Sequence, residues 1–99
     1  MESNVERAMR KAKQHFGSEC LITGMGGVDG CHIFPRSTHP HLKAVMYNIV
    51  PLARHLHRKM DEHRPADRVE WLRAVVKSEN RELLDQWLLQ LFIHIARAA

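Results

Sequence analysis

Five residues in one stretch of this 99-residue chain are of types that do chemistry: Cys31, His32, Asn48, His57 and Asp61. His57 and Asp61 stand four apart, so on a helix they share a face and could grip one cation together. Cys31 could add a thiolate, and Asp29 lies two residues before it. The imidazoles titrate near neutrality and can move protons at physiological pH. Arg36, Arg54, Arg58 and Lys59 flank the stretch, with Ser37 beside Arg36, and these are side chains that contact nucleic-acid phosphates. Together they have the makings of a metal site beside a phosphate-binding surface.

Something must hold these residues in place. Ser3 followed by Glu6 fits a capping box, and Val5, Met9, Ala12 and Phe16 recur at helical spacing until Gly17 stops the run, which predicts an N-terminal helix. "CLIT" and "CHIF" are short apolar runs separated by the glycine-rich "GMGGVDG", the pattern of a β-hairpin. Neither phosphate-loop glycine pattern is present there, so Gly24, Gly26 and Gly27 are read as turn residues. "PRSTHP" is a loop. Pro51 is placed as the first residue of a helix that carries Leu52, Leu56 and Met60 on one stripe and runs to about His63, with Asn48 upstream as a candidate cap. Val69, Leu72, Val75 and Val76 mark a further helix, and Leu84, Trp87, Leu88, Leu91, Phe92 and Ile95 another. Leu83, Leu89, Ile93 and Ala96 widen the last stripe beyond one core face, which suits either a central helix or a self-associating one.

The expected fold is α+β and mostly helical. It is one domain over residues 1–99, with an N-terminal helix, a strand pair feeding a short helix within 18–63, and a C-terminal helical pair over 66–98. Composition narrows the class. At 44% hydrophobic and 26% charged residues the chain reads as globular, not disordered, and no apolar run has the length of a membrane span. The charged, amphipathic "MESNVERAMRKAKQHF" is unlike a signal peptide, and two cysteines are too few for a disulfide framework, so a cytoplasmic, reducing compartment and free thiols are expected. Fifteen Lys and Arg against eleven Asp and Glu give a net charge of +4, which suits a polyanionic partner.

"CHIFPRS…NIVPLARHLHRKMDE" resembles the HNH endonuclease motif, the ββα-metal or His-Me finger core of colicin DNases, many phage nucleases and homing endonucleases. His32 opens "HIFP", Asn48 opens "NIVPL", and His57 follows that Asn at the family's spacing, a match covering about Cys20 to Glu62. The resemblance implies a metal-dependent phosphodiesterase acting on DNA, phage or prophage encoded and so working in a host cytoplasm. His32 would be the general base that takes a proton from water. Asn48 would orient the loop and the base, or bind metal as in some branches. His57 and Asp61, with Cys31 at the position of the family's first ligand, would hold one divalent ion, Mg²⁺ or Mn²⁺ first, with Zn²⁺ or Ni²⁺ suited to a thiolate. Arg36, Arg54, Arg58 and Lys59 would bind the DNA backbone with low sequence specificity, since no coherent set of base-reading residues accompanies them.

Two departures accompany the resemblance. Cys31 replaces the family's usual Asp or His, and Asp29 is offset by two residues. Thr23, Ala53 and Leu56 stand where relatives with a zinc knuckle have cysteines, so no structural zinc is expected. The bland alternatives stay open. An isolated His is most often a surface or capping residue, and Trp71 and Trp87 on helical stripes read as core. An inactive HNH-like DNA-binding module and a helical protein-interaction domain are the competing functions, and the wide C-terminal helix suggests a homodimer.

Overall fold

The structure is a computed structural model describing residues 1–98; Ala99, the last residue of the expected domain, lies outside the described residues. The first helix, α1, spans Asn4–His15. Ser3 caps it as the sequence predicts, its hydroxyl accepting the Glu6 N–H at 3.1 Å. Beyond Phe16 the chain closes in a Schellman turn, with Ser18 N–H on the Lys13 carbonyl at 2.7 Å and Gly17 N–H on that of Gln14 at 3.1 Å. Gly17 takes the left-handed conformation that this turn requires, at φ +68°.

Two strands follow, β1 (Asp29–His32) and β2 (Ile49–Leu52). They pair antiparallel, with Asp29 opposite Leu52, Gly30 opposite Pro51, Cys31 opposite Val50 and His32 opposite Ile49. This corrects two expectations. "CLIT" is a turn, not the partner strand, because its backbone closes on itself: Gly24 N–H donates to the Cys20 carbonyl and Cys20 N–H to that of Met25, each at 2.8 Å. Pro51 is a strand residue, not the start of a helix. Ile33 N–H reaches the Asn48 carbonyl at 2.9 Å, so even-numbered residues of this segment turn their polar groups toward β1 and odd-numbered ones away. The N–H that Pro51 lacks is therefore not needed by the ladder. The outward carbonyls are satisfied instead by other elements, Ile49 by the Trp87 indole at 3.0 Å and Pro51 by the Leu21 N–H at 3.1 Å.

Helix α2 covers Arg54–Asp61, shorter at both ends than the sequence suggested, and begins at Ala53 without a side-chain cap. Helix α3 (Pro65–Val75) starts on a proline, whose missing N–H costs nothing in the first turn. A 3-10 turn at Ser78–Asn80 leads into α4 (Arg81–Ala98). The architecture is thus α+β and mostly helical, in the order helix, strand, strand, helix, helix, helix. No helix is long and apolar enough to cross a membrane among the described residues.

One core unites these pieces. Ala8 and Ala12 from α1, with Phe16 just after it, meet Val50 and Leu52 from β2, Met60 from α2, Leu72 from α3, and Leu84, Trp87, Leu88 and Leu91 from α4. Emptying any of the fully buried leucines of α4 would cost about 2–5 kcal/mol. Gly30 lets α1 lie close on one face of the sheet, since a Cβ there would stand 3.2 Å from Met9 Cγ. The other face of β1, carrying Asp29 and Cys31, looks toward α2.

Candidate functional site

Alternation along β1 and the helical period of α2 bring four side chains together. Asp29 Oδ2 lies 3.4 Å from His57 Nδ1 and 3.5 Å from Arg54 Nε. One turn further along α2, Asp61 Oδ2 lies 3.4 Å from His57 Nε2. His57 thus sits between two carboxylates, its side chain 31% exposed. Burial pushes the Asp29 carboxyl upward, but hydrogen bonds and positive charge from Arg54 and His57 outweigh it and hold the group below the ordinary aspartate range.

The two carboxylates address different nitrogens of one ring. The lone-pair directions of Nδ1 and Nε2 diverge, so the pair does not converge on a shared point with the imidazole. No cluster of three or more His, Cys, Asp or Glu side chains forms a ready cation cradle among the described residues.

Cys31 faces α2 as well but is buried in the core, its thiol donating to the Asp29 carbonyl oxygen at 3.3 Å. Burial pushes this thiol far above its usual range. A backbone hydrogen bond at Leu52 opposes the shift, while the charges of Asp29 and Asp61 add to it. The structure therefore keeps Cys31 as a protonated core residue and brings Asp29 to His57 in its stead. Cys20, also buried, differs: burial raises its thiol, yet hydrogen bonds at Thr23, Ala53 and Ile22 outweigh that and lower it.

His32 ends β1 and turns to the long inter-strand loop. Its Nε2 is 2.8 Å from the Lys43 carbonyl oxygen. A carbonyl can only accept, so Nε2 carries the proton and Nδ1 of the neutral ring is left as the basic nitrogen. No hydrogen bond or ion pair joins His32 to His57, Asp29 or Asp61 among the described residues.

Asn48 fixes the loop that anchors His32. It is fully buried. Its Oδ1 accepts the Phe34 N–H at 2.9 Å, while Nδ2 donates to the carbonyls of Phe34 at 3.0 Å and Leu42 at 3.2 Å. Leu42 adjoins Lys43, so the same side chain positions the carbonyl on which His32 rests. Asn48 does not cap α2.

A residue that the sequence did not single out links the two halves. Arg68 of α3 is 6% exposed. Its Nη1 donates to the Ile33 carbonyl at 3.0 Å, Nε to that of His63 at 3.0 Å, and Nη2 to that of Asp61 at 3.4 Å. The residue after His32 and the last residue of α2 are thereby tied to one guanidinium. Nothing local in the sequence distinguishes Arg68 from the other arginines. Asp29 had a signal: on a strand it shares the parity of Cys31.

The basic residues differ in freedom. Arg36, Arg58 and Lys59 are exposed, and Arg54, also exposed, is engaged with Asp29. Comparison with protein-family models, with curated proteins and with solved structures finds no match to this chain.

Proposed function

We propose that the chain is a metal-dependent endonuclease of the ββα-metal kind, hydrolysing DNA phosphodiester bonds with His32 as general base. The observation that carries the reading is the His32 ring at the end of β1, protonated toward the Lys43 carbonyl through Nε2 and basic at Nδ1. The order strand, strand, helix, with His57 and Asp61 on that helix, supports it.

For a cation these residues would offer one arrangement, with two ligands. His57 Nε2 and Asp61 would hold it, and Asp29 on Nδ1 would set the tautomer and orientation of the imidazole, as carboxylates behind metal-bound histidines do. Two protein ligands suit Mg²⁺ or Mn²⁺, which keep several positions for water and phosphate oxygen. When bound, such an ion supplies electrostatic stabilisation of the phosphoryl oxygens and the departing 3′-oxygen. His32 Nδ1 takes a proton from water, and the water oxygen forms a bond to phosphorus. The bond from phosphorus to the 3′-oxygen breaks, and that oxygen leaves with a proton from solvent. Asn48 acts at a distance by holding the loop beneath His32. Arg36, Arg58 and Lys59 would bind backbone phosphates without reading bases.

A second reading, an HNH-like DNA-binding module without cleavage, is favoured by one observation: Cys31, where the resembling nucleases have a metal ligand, is buried with its thiol on the Asp29 carbonyl. One experiment separates the two. Supercoiled plasmid is incubated at low salt with Mg²⁺, Mn²⁺, Ni²⁺, Zn²⁺ or EDTA and the native chain, His32→Ala or His57→Ala. The nuclease reading expects metal-dependent nicking that falls by about 100-fold or more in His32→Ala. Nicking unaffected by His32→Ala would overturn that residue's assignment. No nicking with any metal, with the plasmid still retarded on a gel, would leave the binding module.

A further inference from the structure

Helix α4 has two unlike faces. Leu84, Trp87, Leu88 and Leu91 are buried in the core. At about 100° per residue the opposite side carries Glu82, Gln86, Leu89, Ile93, Ala96 and Arg97. Leu89 is 57% exposed, and Phe92 at the edge of this face is 44% exposed. Residues 82, 86, 89, 93 and 96 alternate spacings of four and three and so share one face, polar at Glu82 and Gln86 and apolar from Leu89 to Ala96.

We propose that this face binds a second copy of the chain, α4 against α4, antiparallel about a two-fold axis near Leu89 and Gln90. The charges select the partner and the direction. An antiparallel pair centred there sets Glu82 of one copy opposite Arg97 of the other, Gln86 opposite Ile93, and Leu89 opposite Gln90. Symmetry makes each contact twice. A parallel pair would set Glu82 on Glu82 and Arg97 on Arg97. Neither residue has an ion-pair partner within its own chain among the described residues. The alternatives fit less well, because a nucleic-acid surface would be basic throughout, whereas this one is acidic at one end and apolar at its centre. The 18 residues of α4 span about 27 Å, enough for the whole stripe to engage. The inference is independent of the nuclease reading, since its readout is mass.

Sedimentation equilibrium of the full chain tests it. The native protein is expected at twice the mass of the chain. Leu89→Glu is expected to be monomeric with unchanged far-ultraviolet circular dichroism and melting, because the residue is exposed. Arg97→Glu is expected to weaken association about tenfold through two like-charge pairs, and Glu82→Arg combined with Arg97→Glu to restore it. A native chain that stays monomeric at every concentration reached would overturn the proposal. So would a dimer that survives Leu89→Glu, and so would a charge exchange that fails to restore association.

Discussion

Replacing Asn48 by Asp changes one atom of the side chain's hydrogen-bonding end and keeps its shape. At neutral pH the introduced carboxylate can still accept the Phe34 N–H, now at 2.9 Å. It can no longer donate to the Phe34 and Leu42 carbonyls at 3.0 and 3.2 Å. Two donations of about 1 kcal/mol each are lost. A charge is also placed against two carbonyl oxygens at a position with no solvent exposure, adding roughly 2–3 kcal/mol after the stronger Phe34 bond is credited. The expected loss is about 4–5 kcal/mol, a large share of the roughly 5–15 kcal/mol that holds a domain of this size together. Asn48→Ala, which loses three bonds without gaining a charge, should cost about 3 kcal/mol.

The sign of the pH dependence separates these variants. Burial raises the folded-state pKa of the introduced carboxyl above its unfolded value, so the penalty is present above that raised pKa and shrinks as pH falls through it, when the acid regains a proton to donate. Urea unfolding followed by circular dichroism, each variant against the native chain at pH 8 and pH 5, is the assay. Asn48→Asp should recover part of its deficit at pH 5 and Asn48→Ala none. An Asn48→Asp protein within 1 kcal/mol of native at pH 8, or a deficit equal at both values, would refute the account of Asn48 as a two-way clamp on the loop.

Two further predictions concern the site beside α2. Cys31, protonated and buried, should give no thiolate-to-metal absorption when Co²⁺ is added, and Cys31→Ser should leave any metal-dependent nicking in place; a charge-transfer band that Cys31→Ser removes would contradict its placement in the core. The Asp29 carboxyl should titrate by NMR below the ordinary aspartate range and move upward in Arg54→Gln. Because its folded pKa is depressed, Asp29 contributes stability above the unfolded value of about 3.9 that is lost as pH falls through the folded one. An Asp29 titration unmoved by Arg54→Gln would remove that pair as its cause.

The helices were legible where local rules act alone. Ser3, Glu6 and Gly17 mark the ends of α1 through hydrogen bonds made within a few residues. The stripes of α3 and α4 follow from burial on one side. The strands were harder, because four-residue apolar runs carry no distinguishing period. For that reason the sequence predicts a strand at "CLIT" and a helix start at Pro51, where the structure has a turn and a strand. What makes "IVPL" a strand is distant: its register on β1 turns Pro51 away from the ladder, and Trp87 and Leu21 satisfy the outward carbonyls. In the site, the pairing of His57 with Asp61 follows from helical spacing. Cys31 was weighed by its position in a motif, whereas its burial depends on how α2 and β1 pack. Asn48, read as a cap or a site residue, serves carbonyls six and fourteen residues away.

Arg68 sits beyond α2 in the chain, yet all its hydrogen bonds end on backbone carbonyls of Ile33, Asp61 and His63. The strand, strand, helix unit accordingly does not close on itself. A peptide ending after α2 would hold His32, Asn48, His57 and Asp61 while lacking the strap between the strand end and the helix end. The acceptors are main-chain atoms, so residues 33 and 63 can change identity without loosening it, whereas the Asp61 carboxylate adds an ion pair to the same guanidinium at 3.9 Å. Residue 68 has no such latitude, because one guanidinium supplies all three donors.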